Sequence, residues 1–343
     1  MRKRHVGNAV HLRGLIEISS HCMRQCMYCG LRKGNRDLVR YRMTREEILD
    51  CVREAVRLGY GTVVMQAGED DGLTADWIAE IVRWIKRETP LAVTLSLGER
   101  QSDELQLWRS AGADRYLLRF ETSDENLFRI IHPQRFSGGP DRLTLLRQLK
   151  RFGYEAGGGV MVGIPGQSFE SLAQDILAFH ALDLDMIGIG PYIPYVATPL
   201  GSGALRPEIA SSEQVPANEE MVCKMIALTR IACPNANIPS TTALATINRV
   251  DGRKLGLRAG ANVVMPNLTP TKYRRMYEIY PGKACIEESS IDCNRCLRGQ
   301  IHSLGRFAGE GLGGRGSIQS QPATLSSLTI LPVLPVQSAQ LET

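Results

Sequence analysis

The chain has 343 residues, 43% of them apolar and 22% charged, ordinary proportions for a soluble chain with a large buried core. Forty-one Lys and Arg against thirty-six Asp and Glu give a net charge of +5 spread along the chain, which does not by itself argue for a nucleic-acid groove. The longest uncharged stretch of the core, Met186 to Leu205, is broken by Pro191, Pro194 and Pro199, and the basic Met1–Arg4 precedes no apolar signal region, so the expectation is a cytoplasmic protein outside the membrane.

In chain order, Leu15-Ile16-Glu17-Ile18 alternates and is β-branched, the pattern of a strand. Thr44-Arg-Glu-Glu47 is a capping box opening a helix with Ile48, Leu49, Val52 and Val56 on its apolar face, closed by Gly59. Strand-like runs follow at Thr62–Gln66, Ala92–Leu97, Arg115–Arg119, Gly158–Val162, Met186–Gly190, Asn237–Thr241 and Asn262–Pro266. Helical stretches such as Ala75–Arg87 and Arg142–Phe152 fall between them. Eight strands alternating with helices predict an α/β fold of the (β/α)8 TIM-barrel type, with a doubly wound open sheet as the alternative. In a barrel, the reactive groups come from strand ends and the loops that follow them.

Gly157-Gly158-Gly159 and Val162-Gly163-Ile164-Pro165-Gly166-Gln167 are glycine-rich but lack P-loop spacing, so they predict close backbone approach, to a flat adenine or a sulfonium, and no phosphate cradle. From Gly311 the chain turns to Gly, Ser, Gln, Thr and Pro. Residues 1–310 are therefore expected to form the barrel domain and 311–343 a disordered, low-complexity tail.

Nine cysteines in a cytosolic chain point to metal or redox chemistry. Cys51, Cys223 and Cys233 stand alone in apolar segments and read as small core residues. The others form two triplets. Cys22-x3-Cys26-x2-Cys29 follows the first predicted strand, on the face where barrel enzymes keep their sites. A structural zinc wants four ligands, and a closed iron–sulfur cluster wants four cysteines. Three thiolates leave one coordination position open, unless His21 or a distant side chain completes a zinc site.

This spacing after strand one, with Tyr28 before the last cysteine, resembles the radical S-adenosylmethionine (SAM) superfamily. Within it, Gln66-Ala-Gly-Glu-Asp70, Thr94-Leu-Ser-Leu-Gly-Glu99, Met161-Val-Gly-Ile-Pro-Gly-Gln167, Ile238-Pro-Ser-Thr-Thr242 and Tyr280-Pro-Gly-Lys283 run in the order found in the HydE family of iron–iron hydrogenase maturases, over roughly residues 6–307. The resemblance implies that Cys22, Cys26 and Cys29 hold a 4Fe–4S cluster whose open iron chelates SAM. Tyr28, Gln66, Thr94, Arg119, Glu121 and Arg142 match cofactor-pocket positions, and Met186, Thr241, Thr242, Met265, Tyr277 and Tyr280 match the substrate cavity, Met186 and Met265 doubling as plausible barrel core. Cys285, Cys293 and Cys296 resemble the family's variable auxiliary iron–sulfur site, for which a structural zinc is the other reading.

The implied activity is reductive cleavage of SAM to a 5′-deoxyadenosyl radical during assembly of the diiron cofactor (H-cluster) in anaerobic metabolism. The implied partners are an organometallic precursor from a partner maturase, the other maturases, and a one-electron reductant such as a ferredoxin or flavodoxin. Alternatives are a methylornithine synthase-like mutase, disfavoured by the second triplet, and a non-catalytic iron–sulfur carrier. Ala67, Phe120 and Tyr195-Val-Ala depart from the family's Gln-Ser-Gly-Glu-Asp, Arg-His-Glu-Thr and His-Pro-Asp-like stretches and bear on substrate contacts, not on the cluster.

Overall fold

A computed structural model describes residues 1–134 and 141–316. Its centre is a parallel sheet of β1 (Ala9–Ser19), β2 (Thr62–Ala67), β3 (Ala92–Ser96), β4 (Arg115–Leu117), β5 (Glu155–Val162), β6 (Met186–Pro191) and β7 (Val263–Val264), ordered β6-β5-β4-β3-β2-β1-β7. Every residue of β1 is buried, as expected for a strand covered on both sides. Arg13, Leu15 and Glu17 line the interior cavity, while Leu12, Ile16 and Ile18 join the core under the helices.

Helices lie between the strands, and their ends are set by local chemistry. Thr44 and Glu47 form the capping box of Arg45–Arg57, and Gly59, at φ +72, turns the chain out of that helix. Thr74 caps Ala75–Glu88 and Asp141 caps Arg142–Arg151. Ile48, Val52, Ile78, Ile81 and Ile85 are fully buried, so the apolar stripes read from the sequence are the faces packed on the sheet.

Two predicted strands need correction. Asn237–Thr241 forms no ladder; it makes isolated parallel bridges to β6 (Met186 with Asn237, Ile189 with Ser240) and to β7 (Pro239 with Val263). Pro239 has no N–H to give a ladder, which accounts for the interruption. The segment still links β6 to β7 and so curls the sheet into a barrel. Asn262–Pro266 shrinks to Val263–Val264. The glycines of β5 allow close packing within the protein: a Cβ on Gly159 would lie 2.3 Å from the Gly188 carbonyl oxygen. Gln167 folds its side chain back to accept from the Gly163 N–H at 2.7 Å, a self-contained turn.

The lower mouth of the barrel is met by the chain's end. β8 (Phe307–Gly309) pairs with Ala9–His11 of β1. Residues 311–316, grouped with the tail by composition, lie against this mouth. The Leu312 carbonyl accepts from Thr62 and Arg115 at 3.0 Å each, and that of Gly313 accepts from Arg13 at 2.9 Å. Arg315 pairs with Asp183 and Asp185. The rest of the predicted tail, 317–343, lies outside the described residues.

Candidate active site

The loop that carries the first cysteine triplet leaves β1 at Ser19 and is tied down by backbone hydrogen bonds from several directions. Met23 N–H donates to Glu69 O (2.9 Å), Met27 N–H to Ile131 O (2.8 Å), Gly30 N–H to Ile279 O (3.0 Å), and Leu200 N–H to Met27 O (2.9 Å). Gly68 lets the loop after β2 approach it, since a Cβ there would lie 2.6 Å from Cys22 Cβ.

The loop borders a cavity of about 340 Å³ inside the upper barrel. Cys22, Cys26 and Cys29 line it, as do all the other residues expected at the cofactor and substrate positions: Tyr28, Gln66, Thr94, Arg119, Glu121, Arg142, Met186, Thr241, Thr242, Met265, Tyr277 and Tyr280. Cys285, Cys293 and Cys296 do not border it.

Burial, then the charge of neighbouring thiols, raises the Cys26 pKa well above that of an ordinary thiol, and the Cys29 thiol is pushed up to about 12 for the same reasons. Cys22 moves the same way through burial. Three protonated thiols facing one cavity suit a cation that would displace their protons. Among the described residues the His, Cys, Asp or Glu donor atoms that gather as a set within 4.8 Å of one another are those of Glu69, Glu99 and His132. Three thiols are one ligand short of a closed structural zinc site.

The polar wall is built on strand ends. Arg119, just past β4, donates from Nε to Glu121 at 3.1 Å and from Nη1 to the Gly188 carbonyl at 3.1 Å. Glu121 adopts a left-handed backbone, φ 63, a strained conformation for a residue with a side chain, which bends the chain after β4. Gln66 donates to the Tyr277 hydroxyl at 3.1 Å. Thr94 is 1% exposed, and among the described residues its hydroxyl oxygen has no hydrogen-bond partner, a waiting polar group on the cavity wall.

Behind this wall, Arg142, expected at the cofactor pocket, gathers partners that sequence reasoning did not single out. Arg142 donates to Glu99 (2.8 Å), Glu69 (3.2 Å) and the Arg119 carbonyl, and Arg24 meets Glu99 at 3.1 Å. The Glu69–Glu99–His132 set thus already surrounds a cation, the Arg142 guanidinium. His132 lies against Cys26, and burial first, then Arg142 and Arg24, hold its imidazole well below the usual histidine range. Glu17 and Lys283 form a buried ion pair on the cavity wall, with Asn267 donating to Glu17 at 3.0 Å. Glu69, Glu99 and Lys283 stand inside the motifs quoted above and were legible there; His132, behind Ile130-Ile131 and before Pro133, carried no signal.

The second triplet belongs to the C-terminal extension. Cys285 has a left-handed backbone, φ 63, and Cys293 and Cys296 are three residues apart on the helix Ser290–Ser303. Arg274 fixes this loop by donating to the carbonyls of Cys285 (3.2 Å) and Glu288 (2.7 Å). A hydrogen bond from Cys293, aided by Arg253 Nη2 at 3.6 Å, lowers the pKa of the Cys285 thiol, while Cys296 is exposed.

Comparison with known proteins agrees with this geometry. Residues 16–178 match the radical SAM superfamily. The chain is 46% identical to the [FeFe] hydrogenase maturase subunit HydE of Thermotoga maritima, over 92% of this chain and 86% of that protein. It is 31% identical to 3-methylornithine synthase of Methanosarcina barkeri, over 79% and 73% of the two chains. The crystal structure of methylornithine synthase (PylB) superposes with a TM-score of 0.71 at 25% identity, covering 90% of this chain and 86% of that one. With its thiol loop after the first strand and its near-full-length kinship to a curated maturase, the chain is a radical SAM enzyme and belongs to the HydE family.

Proposed function

We propose that this protein works as a hydrogenase maturase that reductively cleaves SAM on the way to the diiron cofactor of [FeFe] hydrogenase. The observation that carries this reading is the convergence of Cys22, Cys26 and Cys29 with the polar strand-end residues on one interior cavity. Cys22, Cys26 and Cys29 would hold a 4Fe–4S cluster, which would supply the one electron for cleaving the sulfonium carbon–sulfur bond to methionine and a 5′-deoxyadenosyl radical. The chain's own residues supply position and shelter. Thr94 offers its unpartnered hydroxyl to the cofactor, Arg119 presents a cation for a carboxylate with Arg142 adding positive charge behind it, and Glu121 accepts from an ammonium or hydroxyl. The deeper wall, with Met186, Met265, Thr241, Thr242, Tyr277 and Tyr280, keeps water from the radical and receives an organometallic precursor made by a partner maturase.

Cys285, Cys293 and Cys296 hold a second iron–sulfur cluster in this proposal, peripheral to the chemistry. The electron comes from a ferredoxin- or flavodoxin-type carrier. No helix among the described residues is long and apolar enough to cross a membrane. The lower identity to 3-methylornithine synthase, 31% against 46%, makes a mutase the weaker reading.

Anaerobically reconstituted protein with dithionite and SAM is expected to yield 5′-deoxyadenosine, and with the other maturases to activate apo-hydrogenase. Cleavage without activation, accompanied by rearrangement of lysine, would replace the maturase reading by the mutase.

A further inference from the structure

Cys26 differs from the other two thiols in what surrounds its sulfur. For Cys22 the neighbouring backbone N–H groups of Arg24 and Glu69, and for Cys29 that of Leu31, partly offset the effect of burial. Cys26 faces a side chain. His132 ends the helix Glu125–Ile131, is 2% exposed, and stacks on Phe128 with ring centres 4.9 Å apart. Its Nδ1 lies 3.1 Å from Cys26 Sγ and 3.1 Å from Tyr28 Oη, and its Nε2 lies 2.7 Å from Arg142 Nη2.

These contacts fix the ring proton. A guanidinium nitrogen has only hydrogens to offer, so Nε2 must accept from Arg142. The neutral ring then carries its proton on Nδ1, aimed at the sulfur and at the phenol oxygen. Arg142 cannot swing away, because Glu99 (2.8 Å), Glu69 (3.2 Å) and the Arg119 carbonyl hold its other N–H groups. Its positive charge polarises the imidazole toward Cys26.

We propose that His132 is a positioning residue for the cluster: the chain Arg142 to His132 to Cys26 delivers a charge-assisted hydrogen bond to one cluster thiolate and raises the reduction potential of that cluster. The proposal rests on the reading that Cys22, Cys26 and Cys29 hold a cluster. Reduction adds one negative charge to the iron–sulfur–thiolate unit, and a donor fixed at a ligand sulfur favours the more negative state. Tyr28 competes for the same N–H, so the two residues act on the potential with opposite signs.

The test has an arm without metal and an arm with it. In metal-free protein labelled with ¹⁵N-histidine, the His132 ring is expected to carry its proton on Nδ1; an Nε2–H ring overturns the proposal. In reconstituted protein, potentials are read by titration followed with electron paramagnetic resonance. His132→Phe is expected to make reduction about tenfold less favourable, a shift of about 59 mV to more negative potential for a one-electron couple. His132→Asn places an amide N–H near the position of Nδ1 and is expected to recover most of that shift, while Tyr28→Phe moves the potential the other way. An unchanged potential in His132→Phe at full iron content overturns the proposal. If that variant holds no iron, Tyr28→Phe decides, and the absence of a positive shift overturns it. A wild-type protein that forms no four-iron cluster defeats the earlier functional reading instead, and the ring tautomer then stands as its own result.

Discussion

Cys22, Cys26 and Cys29 stand on the wall of an interior cavity, where burial makes each thiol a weaker acid. Cys285, Cys293 and Cys296 stand on the C-terminal extension, where a Cys293 hydrogen bond and the Arg253 guanidinium make Cys285 a stronger one. Cys285 thus moves in the opposite direction from the three thiols of the first group, while its hydrogen-bond partner Cys293 is shifted up. The first needs a cation to give up its protons and can present that cation to a ligand in the cavity. The second already favours a thiolate at Cys285 without one, and it does not line the cavity that the first triplet borders. Position, more than ligand count, separates the two triplets.

The sharpest way to break this contrast is Cys26→Ala, expected to reduce 5′-deoxyadenosine formation to background in reconstituted protein; cleavage at the wild-type rate would remove the assignment of the first triplet. Thiol reactivity comes next. In metal-free protein at pH 7, iodoacetamide is expected to label Cys285 at least ~10-fold faster than Cys29, because the thiolate is the nucleophile. Arg253→Met should narrow that gap, as read by peptide mass spectrometry. The Cys293→Ser/Cys296→Ser pair is expected to lower bound iron by roughly half if each triplet carries one cluster of like size, while SAM cleavage persists; lost cleavage would move the second triplet into the chemistry.

Alkaline titration gives a smaller effect. Folding raises the Cys29 pKa from 9.0 to about 12, so above pH 9 the unfolded chain sheds a proton that the folded chain keeps. Stability of the metal-free protein therefore falls as pH rises from about 9 toward 12, and Cys29→Ser should flatten that slope in denaturant unfolding. The smallest expected effect is that of ending the chain at Gly316, which leaves iron content and cleavage within about twofold if 317–343 contribute little to the fold.

Much of the barrel was legible because its signals are local. Thr44 and Glu47 announce a helix start, and the Val- and Ile-rich segments between helices announce buried parallel strands. The cysteine loop was legible for the same reason, as three ligands within eight residues. What escaped depends on distant partners. His132 acquires meaning only because the end of its helix meets Met27, more than a hundred positions earlier. Asn237–Thr241 has the look of a strand, yet Pro239 denies it a full ladder, and the bridges it does make are set by β6 and β7. Gly311–Gly316 has the composition of a linker, and its carbonyls find their donors on strands that any linker would be expected to avoid.

That last arrangement makes the seal of the barrel floor a very long-range contact. Arg13, on β1, donates to the carbonyl of residue 313, three hundred positions along the chain. Such a contact carries the loop-closure entropy of everything between, so the seal depends on the barrel that it closes having formed.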